Sequence, residues 1–511
     1  MVTRARATIA GLVAGPAALA VAGAAANGLN LVMNLVLARV LDPSAYGAVV
    51  VQVSIFMVLS VGGNALLIAV VQKETAADGD SRREQWAWIR RLRRRCLVGV
   101  LIAAVVAMVV CRPAAMLLSY AHPLAVAEAV IGAAVWTLLC VERGVLQARG
   151  AYQRLAANFM VEAAIRVSLI VVLVVAGLGV NGAGLGLVLG TALATDHARK
   201  GLAKVPRALP VSRRAASTAA LASTGPLTIR QAQVVRRAGL LASTWVALGA
   251  LIPLALLQNM DVVIVGWLNH DGAGEYAAIA TACKVPVFIG LAVANFLLPE
   301  AARRRAEGHG AAAALGVALA LVVAPGLALA AAGAVAAEPL LSLVFGSELA
   351  GASSALSILA LGMTCLAVTL MFATYLLGAA QRRVVVVLAV CACGSAAAIG
   401  GAGGDAMRTA VMVLASQAVT AVALGVVVHL VHRADARGSA PVTKTPSPAP
   451  AAAGAVPPSA TGRPASSPAV GRAQAAGVAQ AAGARDGAGG IRPEQAPPGS
   501  GAGGVRPAGV W

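Results

Sequence analysis

The sequence predicts an all-α polytopic membrane protein with about twelve transmembrane helices in two six-helix bundles, followed by a disordered C-terminal tail. Composition is the first reason: of 511 residues, 59% are hydrophobic and 12% charged, with a mean hydropathy of +0.82, against about 25% charged in an ordinary globular domain. A water-soluble chain of this size has no interior large enough to hide that much apolar surface. The second reason is the recurrence of apolar runs, each long enough to cross about 30 Å of hydrocarbon. The third is that lysine and arginine gather in every other connection between those runs.

The first run opens with Arg4 and Arg6 and passes small residues at Ala22, Ala24 and Ala26, imitating a secretory signal. The apolar pattern then continues through Leu35 and Leu37, so an uncleaved span over 12–38 is expected. Further spans follow at 46–71, 96–118, 123–143, 155–177 and 180–196, then at 240–268, 275–298, 311–335, 354–378, 384–401 and 405–431. In the sixth, Gly182, Gly186 and Gly190 recur every four residues, a spacing that lets helices approach closely. Pro16, Pro253, Pro286 and Pro325 lie in or near spans, where bends are expected. From His432 the chain turns to alanine, glycine, proline and serine, which cannot bury a core. The expected division is therefore 1–238, 239–431 and a disordered tail, 432–511.

With the N-terminus inside, 35 of the 40 lysines and arginines fall on inner segments. This predicts an even number of spans with both termini in the cytoplasm. The outer connections are short, the longest running from about Glu338 to Ser353. Two inner stretches, SRREQWAWIRRLRRR with Trp86 and Trp88, and the segment from Arg199 to Arg237, look like basic interfacial helices. They either attract anionic lipid, at about 1 kcal/mol per cation, or enforce topology. A net charge of +20 with only 3% aromatic residues does not suit nucleic acid. The seven cysteines lack zinc spacing, so no metal is expected. No GxxxxGK loop or HExxH helix occurs, and no cofactor is expected.

The chain is organised around residues 239–305, two apolar helices joined by a polar turn, in the order LLQNMDVVIVGWLNHDGAGEYAAIATACKVPVF. An earlier stretch, 29–73, has the same layout. Asp42 and Tyr46 bracket its turn as Asp271 and Tyr276 bracket the later one, which suggests a duplicated unit of the kind transporters are built from. A charge in mid-membrane costs about 2.5–3.5 kcal/mol on insertion scales, so Asp261 and Lys284 must face protein or water. They bind a ligand, or pair with one another. Arg166, in the fifth span, follows Glu162 by one helical turn; the two line a cavity or neutralise each other. Gln258, Asn259 and Asn34 could bind polar groups of a ligand or bond helix to helix. Arg39 binds an anion or snorkels to headgroups.

Taken together, ARVLDPSAYG, LLQNMDVVIVGWL, EYAAIATACKVPVFIGLAVANFLLPE and FGSELAGASSALSILALGMTCLAVTLMFATYLLGAAQR resemble the Wzx-type bacterial polysaccharide flippases. These belong to the MATE-like exporter superfamily that also holds the lipid II flippases. The resemblance covers about residues 9–431. It implies two bundles around a central cavity that alternates between inward-open and outward-open states. The implied cargo is a polyprenyl-pyrophosphate-linked oligosaccharide, moved to the outer leaflet without enzymatic chemistry, and polysaccharide-assembly enzymes are implied partners. Cationic cavity groups of that family match Arg39 in the ARVL motif and Lys284 in KVP.

A cation-coupled drug antiporter of the same superfamily competes with this reading. Such transporters use membrane carboxylates; span one has none, only Asn27, Asn30 and Asn34, but Asp261, Glu128 and Glu162 supply them elsewhere. A membrane-embedded glycosyltransferase, polymerase or ligase would use Asp78-Gly79-Asp80, yet no nucleotide-binding domain accompanies that triplet. A scaffold would gain nothing from intramembrane charge.

Overall fold

The computed structural model describes residues 16–76, 82–117, 120–205, 240–291, 293, 312–378 and 383–438. Expectations for the signal-like start, Asp78-Gly79-Asp80, residues 206–239, the arginines at 303–305 and the tail beyond 438 lie outside those residues.

Every regular element among the described residues is helical. In chain order these are α1 (Pro16–Val40), α2 (Pro43–Ala76), α3 (Arg82–Leu117), α4 (Pro123–Ala148), α5 (Tyr152–Leu173), α6 (Gly179–Ala203), α7 (Leu240–Leu268), α8 (Ala273–Cys283), α9 (Ala312–Val344), α10 (Leu356–Gly378), α11 (Arg383–Gly400) and α12 (Ala406–Gly438). After a turn at Lys284 the path of α8 resumes and forms one span, Ala273–Leu291. The last helix reaches Gly438, so residues 432–438 are helix rather than tail. All described helices fall in one compact unit, Met1–Ala440. By length and composition the chain is a multi-pass membrane protein.

Eleven stretches qualify as spans by continuous helicity and composition, one fewer than the sequence predicts. The difference lies in Tyr152–Ala203, which counts as a single stretch. A π-helical turn, Val174–Leu178, joins α5 to α6, and Gly177 inside it has φ 92°. That left-handed backbone is open to glycine and strained for other residues. The chain reverses there: Gly182 lies against Leu173, Gly186 against Ile170 and Gly190 against Arg166. The glycine row of α6 is therefore the seam of an antiparallel hairpin, and the described residues hold twelve α-helices.

Local chemistry sets the other breaks. Asp42 accepts the Ala45 amide at 3.1 Å and the Ser44 hydroxyl, capping α2, with Pro43 at its first position. Those two donors hold the Asp42 carboxyl below the usual carboxylate range. Before α8 the N-cap is Gly272, which carries no side-chain cap; Asn269 closes the turn ahead of it, its Oδ1 accepting the Gly272 amide at 3.0 Å. Asp271, expected to correspond to Asp42, is exposed as Asp42 is, but among the described residues it forms no hydrogen bond to the start of α8, which begins from the Gly272 N-cap.

Packing runs mainly among α1–α6 and among α7–α12, with α2 crossing onto α7 and α8. The crossing occurs at the face opposite the helix ends Pro16 and Gly438. There a β-carbon on Gly47 would stand 2.7 Å from the Gly274 nitrogen, and one on Gly274 would stand 2.0 Å from the Pro43 carbonyl oxygen. Tyr46 and Tyr276 sit fully buried beside this contact. The repeated turns noted in the sequence thus meet one another.

Candidate functional site

Among the described residues, two buried polar groups hold most of the residues that the sequence singles out. The first is centred on Glu162 of α5. Arg166, one turn along, donates Nε to Glu162 Oε1 at 2.6 Å and its Nη2 to Asn30 Oδ1 of α1 at 2.9 Å. Arg143 of α4 ion-pairs with the other carboxylate oxygen at 3.7 Å and donates Nε to Asn158 Oδ1 at 2.7 Å. Asn158 passes the connection on, donating to the Ala194 carbonyl and lying 3.3 Å from His197 Nδ1 on α6.

One carboxylate here faces two guanidiniums, which leaves one excess positive charge in the interior. Aromatic faces offset part of that cost. The Arg143 guanidinium lies 4.0 Å from the Phe159 ring centroid and 5.2 Å from that of Trp136, and such contacts contribute about 2 kcal/mol or more when desolvated. Even so, Arg143 Nη2 is buried without a hydrogen-bond partner. A neighbouring cluster repeats the stoichiometry: Glu142, fully buried, holds Arg199 at 3.1 Å and also Arg93.

The sequence ends the fourth span at 143, with Arg143 at its edge; in the structure α4 runs on to Ala148, and Arg143 is 1% exposed. Its signal was the adjacent Glu142-Arg143 pair, which an apolar helix carries only where both charges find partners. Asn158 and His197 had no sequence signal of their own.

The second group lies between α7 and α8. Lys284 donates Nζ to Asn259 Oδ1 at 3.1 Å, and Asn259 returns its amide to the Ala255 carbonyl. Tyr276 donates to Asp261 Oδ2 at 3.0 Å, while Asp261 Oδ1 is buried without a hydrogen bond. The alternative in which Lys284 and Asp261 form a direct ion pair is therefore not adopted; asparagine takes the lysine and tyrosine takes the aspartate. Lys284 stands at the break in α8, two residues before Pro286, which lacks the N–H that a continuous helix requires. Its amide bonds to Thr281 as a tighter turn.

The remaining candidates are dispersed. Asn34 is half-buried and donates to the Asn30 carbonyl of its own helix, one turn below the partner of Arg166. Gln258 is half-buried and makes no hydrogen bond among the described residues. Arg39 is exposed at the end of α1, donating to the Leu343 carbonyl at the end of α9. It joins the contact between the two sets of helices rather than either interior group.

No protein-family model matches the chain. No curated protein matches it in sequence either. Solved structures do match. An inward-facing multidrug-resistance MATE transporter of the MOP superfamily aligns with TM-score 0.57 at 14% identity, covering 81% of this chain and 96% of that one. The lipid II flippase MurJ, in an inward closed conformation, aligns with TM-score 0.60 at 11% identity, over 80% of this chain and 87% of that one. A substituted form of the Vibrio cholerae MATE transporter VcmN aligns with TM-score 0.53 at 15% identity, over 81% and 95%. At such identities the likeness is one of architecture, and the chain has the fold shared by MATE transporters and the MurJ flippase.

Proposed function

We propose that this chain is a membrane transporter that carries a polyprenyl-pyrophosphate-linked oligosaccharide, or a related cell-envelope polysaccharide precursor, across the plasma membrane by alternating access. The observation that carries the reading is the excess of buried cationic charge around Glu162, where Arg143 and Arg166 share one carboxylate. A membrane interior holds uncompensated positive charge at high cost unless an anion completes it.

Pyrophosphate and sugars cannot enter hydrocarbon unaided, because each lost hydrogen bond to water costs several kcal/mol. Guanidinium donors replace that hydration in a planar, paired geometry suited to phosphate oxygens. Arg166, already turned toward α1, is the leading donor, with Lys284 supplying a second cation from α8. Asn34, Asn259 and Gln258 offer amides for hydroxyl groups, and the polyprenyl chain stays in the bilayer. With both termini cytoplasmic, the contact of Gly47 with Gly274 and of Arg39 with Leu343 closes the outer side. Rocking the first six helices against the last six opens it. Enzymes of polysaccharide assembly would present the cargo on the cytoplasmic side.

A second reading, a cation-coupled antiporter, is favoured by two buried carboxylates. Glu128 is held only by the Gln52 amide at 2.9 Å and, among the described residues, forms no ion pair, while Asp261 keeps one oxygen unpartnered. Proteoliposomes loaded with a labelled polyprenyl-pyrophosphate oligosaccharide separate the two. Translocation by the wild type, lost in Arg166→Gln and Lys284→Ala, supports the flippase. Absence of translocation, alongside proton- or sodium-driven efflux of small cations, would replace it with the antiporter.

A further inference from the structure

Helix α3 is 36 residues long, about 54 Å at 1.5 Å per residue, whereas the hydrocarbon layer is about 30 Å thick. It packs chiefly against α4 and leaves its other side open. From Leu97 onward that side is an unbroken apolar stripe, Leu97, Leu101, Ile102, Val105, Val106 and Val109, all about half exposed or more. This is a surface for acyl chains.

Toward the N-terminus the same stripe continues through Arg90, Arg91 and Arg94, with Arg95 beside them, and all four are exposed. Among the described residues none of the four forms an ion pair, although neighbouring cations do. Ile89 is fully buried and Arg93 ion-pairs with Glu142. The Lys73 ammonium lies 4.1 Å from the Trp88 ring centroid, and Arg149 lies 4.6 Å from that of Trp86. One side of this turn pair is thus clamped to the protein, which aims the other side outward at the depth where acyl chains meet headgroups.

From this we infer that Arg90, Arg91, Arg94 and Arg95 form a fixed site for the phosphate of anionic bilayer phospholipid, the acyl chains lying along the apolar stripe of α3. The positive charge of an inner connection needs no such alignment with the lipid-facing side, and a merely topological role does not require the opposite side to be pinned. Charge complementarity selects phospholipid with net negative charge over zwitterionic phospholipid.

The test uses the full chain in nanodiscs of equal phosphatidylglycerol and phosphatidylcholine, released into a mass spectrometer under native conditions to count retained lipids. The wild type should retain phosphatidylglycerol preferentially. Affinity should fall on the order of fivefold per arginine replaced by glutamine, and the preference should vanish in the fourfold variant. A fourfold arginine-to-lysine variant should keep most of the preference. Should the fourfold glutamine variant fail to fold, Arg90→Gln/Arg94→Gln, which alters two exposed residues on the stripe, carries the test. Equal retention by wild type and glutamine variants overturns the inference. So does an equal loss in Arg112→Gln/Arg408→Gln, whose cations sit at the opposite face, or a patch that retains polyprenyl phosphate but no phosphatidylglycerol.

Discussion

Gly190 of α6 lies directly against Arg166 of α5: a β-carbon on Gly190 would stand 2.7 Å from the Arg166 Cα and 2.8 Å from its Cβ. The contacted atoms are backbone and the first side-chain carbon, neither of which can swing aside. Depth of packing at one glycine therefore sets how close α6 comes to α5, and with it the reach of Asn158 on α5 to the Ala194 carbonyl and His197 on α6. Gly190→Leu should push the hairpin apart, cost about 1–3 kcal/mol through overpacking and lower translocation at least tenfold. Gly28→Ala, whose new methyl meets nothing within 4 Å, should translocate like the wild type. Thermal melting and proteoliposome assays on both variants check this.

Arg143 is expected to be the most destabilising single truncation in the first six helices. Arg143→Ala removes a partner of both Glu162 and Asn158 and strips a cation from two aromatic faces. Breaking a buried pair on one side costs about 3–5 kcal/mol. Because Arg143 and Arg166 share Glu162, a double-mutant cycle with Arg166→Gln should give a coupling above about 0.5 kcal/mol. Additive effects in denaturation would show that the two arginines act independently.

Val51 and Gly266 offer a direct probe of the contact between α2 and α7. A β-carbon built on Gly266 lies 3.7 Å from that of Val51, inside the 3.5–4.5 Å range typical of disulfides. Val51→Cys/Gly266→Cys, made in a background with the seven native cysteines replaced, should cross-link under mild oxidation. If this contact must open during transport, the oxidised variant should be inactive and regain activity with reductant. Full activity of the cross-linked protein would show that α2 and α7 stay together throughout the cycle.

Asp42 is expected to stabilise the start of α2 by about 1 kcal/mol, the usual cost of removing such a cap. Its carboxyl titrates below the usual range because Ser44 and Ala45 donate to the ionised form. A depressed folded-state value means the contribution is complete above the unfolded pKa of about 4. It is lost as pH falls through the lower folded value. Melting of wild type and Asp42→Ala from pH 7 down to pH 3 should therefore converge at the acid end and differ at neutral pH.

Much of this protein is legible in its residues. Wherever its residues are described, each predicted apolar run falls on a helix, because hydrocarbon forces each segment to satisfy its backbone internally and leaves hydropathy as a nearly sufficient signal. Glu162 with Arg166 was readable as well, since four residues on one helix lie on one face whatever surrounds them. The glycine row of α6 was legible as a packing seam, though its partner was not.

Only the tertiary structure decided which polar groups meet. Arg143 reads as the edge of a loop until α4 is seen to extend past it, and Asn158 and His197 join it from helices that sequence spacing does not relate. Lys284 and Asp261 looked like natural partners by charge, yet the rotation of α7 against α8 gives one to Asn259 and the other to Tyr276. The sequence by itself determined which segments are apolar helices and the faces of single helices, because those follow from transfer energy and the 3.6-residue period. Partners across helices depend on interaxial rotation and on contacts as close as Gly190 with Arg166, and no property of either segment alone contains that information.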